Sequence, residues 1–381
     1  MEYRFETRCI HGQHETGQEH PYGAVAVPIF QTATFSHPAI GVSGGYDYTR
    51  ESNPTRTELE QLITALEGAA DTVACATGMA AIALCLELFA AGDHIICSDD
   101  LYGGSVRIFE SVGARRNLEF TYTDSTDPEL VEKEIRDNTK ALYIETPSNP
   151  TMKVTDLQAM KELARRHRLL LIVDNTFLTP YFQKPIELGA DIVIHSGTKF
   201  LGGHNDTLSG FVCTADDKLA GRIRFLYKTT GSCLSPFDSF LVIRGIKTLS
   251  LRLEKQQENA RRIAEWLKGH PDVAKVYYIG LPDHPGYPVN RRQAGGAGSM
   301  ISFRVRSEEK ARSLLEKVRL ITYAESLGGV ETLITYPMLQ THGDVPVPIR
   351  EKLGITADFL RLSVGIEHCE DLIADLEQAL Q

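Results

Sequence analysis

Short apolar runs recur along the first half of the chain, each ending in polar residues, and stretches with helical spacing fill the intervals between them. Residues 71–76, 94–97, 120–122, 141–144, 169–173 and 192–194 read as buried strands. Residues 57–66 place Leu59, Leu62, Ile63 and Leu66 on one helical face ahead of Gly68, and an alanine-rich helix opens at Thr77 and closes at Gly92. Two more helical patterns cover 128–136 and 157–168. Strand and helix alternating in this way predict a parallel or mostly parallel sheet with helices on both faces. A long helical pattern with charges on one face, 237–266, leads into a smaller part with strands near 273–278, 300–305 and 359–364 and helices near 308–318 and 370–380. Before Thr57 the chain is rich in Gly, Pro, Thr and Tyr with little helical periodicity, which predicts an arm lying on another surface.

The strand ends carry the chemistry. The run at 169–173 stops at Asp174, and that at 192–194 stops at His195-Ser196-Gly197-Thr198-Lys199, so two buried parallel strands deliver polar residues at their carboxyl ends. Open α/β sheets hold their ligands there. A carboxylate can keep a proton on a ring nitrogen, the hydroxyls of Ser196 and Thr198 can bond phosphate oxygens, and Lys199 can form an imine with an aldehyde. Together they describe a site for pyridoxal phosphate. Taken singly, Asp174 could cap a helix, Ser196 and Thr198 could shape a turn and Lys199 could be a solvated surface residue. Gly78, opening a helix straight after a strand, leaves bare backbone amides suited to an anion. Arg361 interrupts the apolar stretch 359–365 and needs an anionic partner, either an amino-acid carboxylate or a structural ion pair.

Val173-Asp174-Asn175-Thr176-Phe177 and Ser196-Gly197-Thr198-Lys199-Phe200-Leu201-Gly202-Gly203-His204 resemble the cystathionine γ-synthase, cystathionine lyase and methionine γ-lyase group of pyridoxal phosphate enzymes, and the resemblance runs from about Tyr22 to the C-terminus. It implies the aminotransferase-like architecture of fold type I: an α/β protein with a mostly parallel seven-stranded sheet between helices and a smaller α/β C-terminal domain. It divides the chain into an arm, 1–56, that contributes to a neighbouring active site, a large cofactor-binding domain, 57–236, and a linker helix with the substrate-side domain, 237–381.

By the same resemblance Tyr48 and Arg50 bind the cofactor phosphate of a neighbouring subunit, and the amides of Gly78 and Met79 bind the phosphate of their own. Tyr102 stacks on the pyridine ring and passes a proton to the leaving group. Asn149 lies near the cofactor hydroxyl and the substrate carboxylate, Arg361 holds that carboxylate, and Glu325 and Ser326 lie on the substrate side. Lys199, freed by substrate, moves protons at Cα and Cβ. Arg50, as a nearby positive charge, is expected to keep that lysine close to neutral. Gly104 stands where methionine γ-lyases tend to carry cysteine, Glu325 is typical of γ-synthases and cystathionine γ-lyases, and Gly197 replaces the usual alanine, which could loosen the turn holding Lys199.

The motifs from 234 to 249 and from 329 to 342 look most like bacterial γ-synthases or thiolyases that use an activated homoserine. Within the group the expectation is a γ-synthase or γ-lyase, with β-lyase, methionine γ-lyase or O-acetylhomoserine sulfhydrylase as alternatives. Outside it stand a protein that binds the cofactor without turnover, and a nicotinamide dehydrogenase, which the missing glycine fingerprint disfavours; Gly295–Gly298 does not supply one. The group also implies a homotetramer built as a dimer of dimers.

Composition narrows the setting. With 381 residues, 42% hydrophobic and 24% charged, the chain suits two domains with a sizeable core. A net charge of -10 argues against nucleic acid or an anionic membrane as partner. No apolar run is long enough to span a membrane and the start lacks a signal-peptide pattern, so the reading is cytoplasmic. Seven cysteines without a Cys-x-x-Cys pair read as buried free thiols in a reducing compartment. No histidine cluster has metal-ligand spacing, and His11 and His14 read as solvated.

Overall fold

The computed structural model describes residues 3–12, 20, 23–341, 343 and 347–381, without side chains for 347–349. His14 and His342 lie outside the described residues, and His11 is exposed. Two sheets organise the chain. The larger contains β1 (Asp71–Cys75), β2 (His94–Ser98), β3 (Glu119–Thr123), β4 (Thr139–Glu145), β5 (Leu170–Asp174), β6 (Ile192–Ser196) and β7 (Gly210–Thr214), in the order β1-β7-β6-β5-β4-β2-β3. β7 runs antiparallel to both β1 and β6, while β6, β5, β4, β2 and β3 pair in parallel. This is the mostly parallel seven-stranded sheet of fold type I.

β2 and β7 are buried along their whole length and β4, β5 and β6 over all but one residue each, which is why the inner strands are continuous apolar runs instead of alternating ones. Their side chains nevertheless alternate between two cores. Leu142, Ile144, Leu171, Val173 and Val193 join one cluster, and Ala141, Tyr143, Ile172, Ile192 and Ile194 join the other. On that alternation Glu145, Asp174 and Ser196 share the second face, the one packed against the helix Gly78–Leu86. His195 lies on the opposite face, bonded to Glu67 at 2.8 Å.

Helix starts follow local chemistry. Asn53 accepts from the Thr55 amide ahead of Pro54, and Gly68 closes that helix in the left-handed region. The helix Leu157–His167 starts on Asp156, which accepts from the Gln158 and Ala159 amides.

The second sheet, of β8 (Val273–Tyr277), β9 (Met300–Val305), β10 (Thr322–Tyr323), β11 (Leu333–Thr335) and β12 (Phe359–Ser363), is ordered β10-β11-β12-β9-β8 and packs with its helices around a third core.

Several features depart from the sequence-based expectation, among them the helices Gly103–Ile108, Asp217–Thr230 and Tyr287–Gln293, which were not anticipated. The pattern 237–266 is two helices, Pro236–Ile246 and Leu249–Gly269. Ile246 and Leu249 on either side of the break are both fully buried, so the apolar rhythm passes through it unbroken. The arm contains a short helix, Phe5–His11, tied down by buried Cys9 and by Arg8 donating to the Ala65 carbonyl at 3.0 Å. β7, as long as the strands that were read, and the two- and three-residue strands β10 and β11 were not anticipated, the last two being too short to show a period. The alanine-rich helix ends at Leu86, well before Gly92.

Candidate active site

A cavity of about 200 Å³ opens where the carboxyl ends of β4, β5 and β6 face the turn Ser326–Gly329 and strand β12. It is lined by Gly78, Met79, Tyr102, Asn149, Asp174, Ser196, Thr198, Lys199, Glu325, Ser326 and Arg361. The structure thus gathers eleven of the thirteen residues singled out in the sequence. Tyr48 and Arg50 are elsewhere: Arg50 donates to the Lys228 carbonyl, its guanidinium lies 5.6 Å from the Tyr48 ring centre, and Tyr48 is 45% exposed.

Asp174 accepts from the backbone amide of Thr176 at 3.0 Å and from its hydroxyl at 2.6 Å, both at Oδ1, which leaves Oδ2 unused in this pairing. The Thr176 hydroxyl in turn accepts from the Ser196 amide at 2.9 Å, tying β5 to β6. Burial pushes the Asp174 carboxyl above the usual carboxylate range, so the buried group gains most from a cationic ring N–H. At the other end of the cavity, Thr77 caps the helix Gly78–Leu86 by accepting from the Ala80 amide, and the amides of Gly78 and Met79 at the first turn have no partner within the helix. A Cβ at Gly78 would sit 2.9 Å from Ser196 Oγ, so glycine is what lets these amides and that hydroxyl share one anion.

Gly210, opposite Ser196 in the β6–β7 ladder, likewise has no room for a Cβ beside the Thr77 carbonyl. Thr198 is fixed by accepting from the Ser209 amide at 3.0 Å. A carboxylate at one end, anion-binding amides and hydroxyls at the other and a buried amine between them fit pyridoxal phosphate.

Lys199 Nζ donates to Ser326 Oγ at 2.9 Å. Its pKa is lowered to about 8, first by burial, then by Arg361, with Glu325 opposing. The expected agent, Arg50, has no part in this within the chain. Ser326 holds φ at +85°, a strained conformation for a residue with a side chain, at the point where its hydroxyl meets the lysine.

Arg361 is 1% exposed and its fork is occupied by neutral groups: Asn149 Oδ1 at 2.8 Å, the Ser326 carbonyl at 3.1 Å and Thr335 Oγ1 at 3.2 Å. Its Nε has no partner, and among the described residues no carboxylate lies within ion-pair distance. The structural ion pair left open by the sequence is absent here. Burial lowers its pKa to about 10, a state that an anion arriving in the cavity would relieve.

Two residues were overlooked. Glu145, directly opposite Asp174 in the β4–β5 ladder, accepts from the Tyr102 amide at 2.9 Å and so fixes the loop that carries the tyrosine. Burial, then the charge of Asp174, pushes its carboxyl well above the usual range. The signal was its place at a strand end, the same that singled out Asp174. Thr176, within a quoted motif, supplies the brace described above. Gly197 also proves different from expectation. A Cβ there would fall within contact of Ser209 Oγ and the Phe211 ring, so the glycine answers tight packing and leaves no slack.

Sheet, strand-end site and buried lysine define a pyridoxal phosphate-dependent enzyme of fold type I. The family of Cys/Met metabolism PLP-dependent enzymes matches residues 6–381, and the chain belongs to it. It is 50% identical over 376 residues to a cystathionine γ-lyase of Bacillus subtilis, covering 99% of both chains. It is 46% identical to a cystathionine β-lyase of Lactococcus lactis subsp. cremoris, covering 99% of this chain and 98% of that one. Among solved structures, a cystathionine γ-lyase from Lactobacillus plantarum complexed with L-serine superposes with a TM-score of 0.96 at 44% identity, covering 99% and 98%. A cystathionine γ-synthase from Xanthomonas oryzae pv. oryzae in complex with cystathionine gives 0.97 at 40%, covering 100% and 98%. The protein is a transsulfuration-type enzyme whose cofactor is pyridoxal phosphate.

Proposed function

We propose that this enzyme makes or breaks the Cγ–S bond of cystathionine and related sulfur amino acids. The observation that carries the reading is the buried Arg361, which among the described residues has no carboxylate partner, facing the same small cavity as Lys199, whose pKa is lowered to about 8. The bound cofactor supplies an electron sink conjugated to the substrate Cα. Arg361 with Asn149 holds the substrate carboxylate, and Asp174 keeps the ring nitrogen protonated. Lys199 binds the cofactor, then takes the Cα proton and moves protons at Cβ, with Ser326 Oγ fixing its amine between transfers. Tyr102, placed by Glu145, protonates the departing sulfur. Gly78, Met79, Ser196 and Thr198 hold the phosphate. Glu325 on the substrate side attracts the distal amino group of cystathionine.

The arm, 1–56, is read as completing the site of a second copy, with Tyr48 and Arg50 on the partner's cofactor phosphate. Val25 and Ile40 stand fully exposed on it, an arrangement that favours a covering surface from another subunit. The reading therefore includes a dimer as the catalytic unit and a tetramer of two such dimers, with residues 57–236 and 237–381 as the large and small domains. All seven thiols are free and six are buried, which suits the reducing cytoplasm. Among the described residues no helix is long and apolar enough to cross a membrane.

Product identification tests the reaction. Incubating the enzyme with cystathionine should give cysteine and 2-oxobutyrate, and supplying an O-acyl homoserine with cysteine should give cystathionine if γ-replacement is the main activity. Homocysteine with pyruvate would instead place cleavage at the β-carbon, and no product from either mixture would overturn the reading.

A further inference from the structure

Outside the cavity, the long helix Leu249–Gly269 carries Arg252, Gln256 and Asn259 on one face, spaced four and three residues apart. All are buried, Arg252 at 4% and the other two at 0% exposure. Each donates to the backbone of a different active-site segment. Arg252 reaches the carbonyl of Phe200, next to Lys199, at 2.8 Å and that of Gly245 at 2.9 Å. Gln256 Nε2 reaches the Gly329 carbonyl at 2.7 Å, at the end of the turn that begins with Ser326. Asn259 Nδ2 reaches the carbonyls of Gly365 at 3.1 Å and Glu367 at 2.8 Å, just after the strand that carries Arg361.

The three segments also meet one another. Lys199 bonds Ser326, Arg361 bonds the Ser326 carbonyl, and the Val330 amide donates to the Gly203 carbonyl at 3.0 Å. A Cβ at Gly203 would collide with the Arg252 guanidinium, so the lysine loop closes directly on that side chain.

Stability alone does not account for these three residues. Apart from Ser250, the rest of the buried face is apolar: Leu249 and Leu253 belong to the large-sheet core, and Ala260, Ile263 and Leu267 to the small one. Gln256 Oε1 and Asn259 Oδ1 have no partner, and among the described residues Arg252 has no carboxylate. Buried unpaired oxygens and cations cost stability that an apolar side chain of similar shape would not. What the polar face supplies is position.

We propose that Arg252, Gln256 and Asn259 are positioning residues, which hold the lysine loop, the Ser326 turn and the Arg361 strand on one rigid helix and so set the distance between proton-moving amine and carboxylate-binding guanidinium. The proposal rests on the roles given above to Lys199 and Arg361. It is tested on the holoenzyme with Q256L, which removes the donor and the orphan oxygen together, and R252K, which keeps the charge but loses the fork. In Q256L the KM for cystathionine and the Kd for glycine, read from the cofactor absorbance, should both rise about tenfold with Tm unchanged or higher.

R252K should weaken retention of pyridoxal phosphate by about tenfold, and R252M by more. Wild-type glycine and cofactor affinities in both Q256L and R252K would overturn the proposal; should Q256L not fold, R252K and R252M decide alone. A wild-type enzyme inert toward cystathionine would remove the functional reading, while the glycine and cofactor affinities would still judge the helix.

Discussion

Lys199 shows how one residue's chemistry follows from its surroundings. An ordinary lysine is protonated until 10.5, whereas burial and Arg361 bring this one to about 8. Below that value the empty protein holds an ammonium, and only the free amine attacks the cofactor aldehyde. The rate of covalent cofactor capture by the apoprotein should therefore climb with pH, about tenfold per unit, and level off near pH 8. Replacing Arg361 by methionine removes the second-largest lowering influence and should move the plateau to higher pH; an unmoved plateau would leave burial as the sole cause. K199A should bind the cofactor without covalent capture and show no turnover.

These residues were legible because a charge at the end of, or inside, an apolar run is costly and needs a reason. Lys199, Asp174 and Arg361 all announce themselves that way. Glu145 did so too but was passed over within a longer Glu-Thr-Pro motif, and the crowding around Gly197 depends on Ser209 and Phe211 from another strand, which no local pattern shows.

Elements were legible where an apolar run or a cap stood out and not simply by length, since the 14-residue helix Asp217–Thr230 and the five-residue β7 were both passed over. β2, β4, β5 and β6 are buried apolar runs, and helices such as Leu157–His167 carry their own caps. The break between Pro236–Ile246 and Leu249–Gly269 has a tertiary cause. Gly245, in the last turn of the first helix, packs against backbone: an added Cβ would lie 3.0 Å from the Leu201 carbonyl oxygen and still closer to that of Gly202. This contact seats the helix end on the loop after Lys199, and only the fold reveals it. Because backbone cannot rotate aside, G245A should cost about 1–3 kcal/mol as a drop in the denaturation midpoint. It should also loosen cofactor binding, since the displaced loop carries the lysine. Normal midpoint and affinity would mean the two segments can part without consequence.

At the scale of the whole molecule, the chain's own cavity holds only part of the proposed phosphate contacts. Gly78, Met79, Ser196 and Thr198 line the chain's own cavity, whereas Tyr48 and Arg50 do not, so an isolated chain offers a phosphate no arginine from its arm. If the arm serves a partner, K199A and R50A, each nearly inactive alone, should complement on mixing under conditions that exchange subunits. In a hybrid dimer one site receives intact Lys199 from one chain and intact Arg50 from the other, while its twin receives both defects. With equal mixing and symmetric dimers, about a quarter of all sites should then work. An arm acting within its own chain predicts no recovery at any ratio, because every site would keep one defect. Recovery that is lost on dilution, together with cofactor release, would further tie dimer formation to the phosphate contact, since removing a charge-assisted arginine–phosphate bond costs about 1.5–3 kcal/mol.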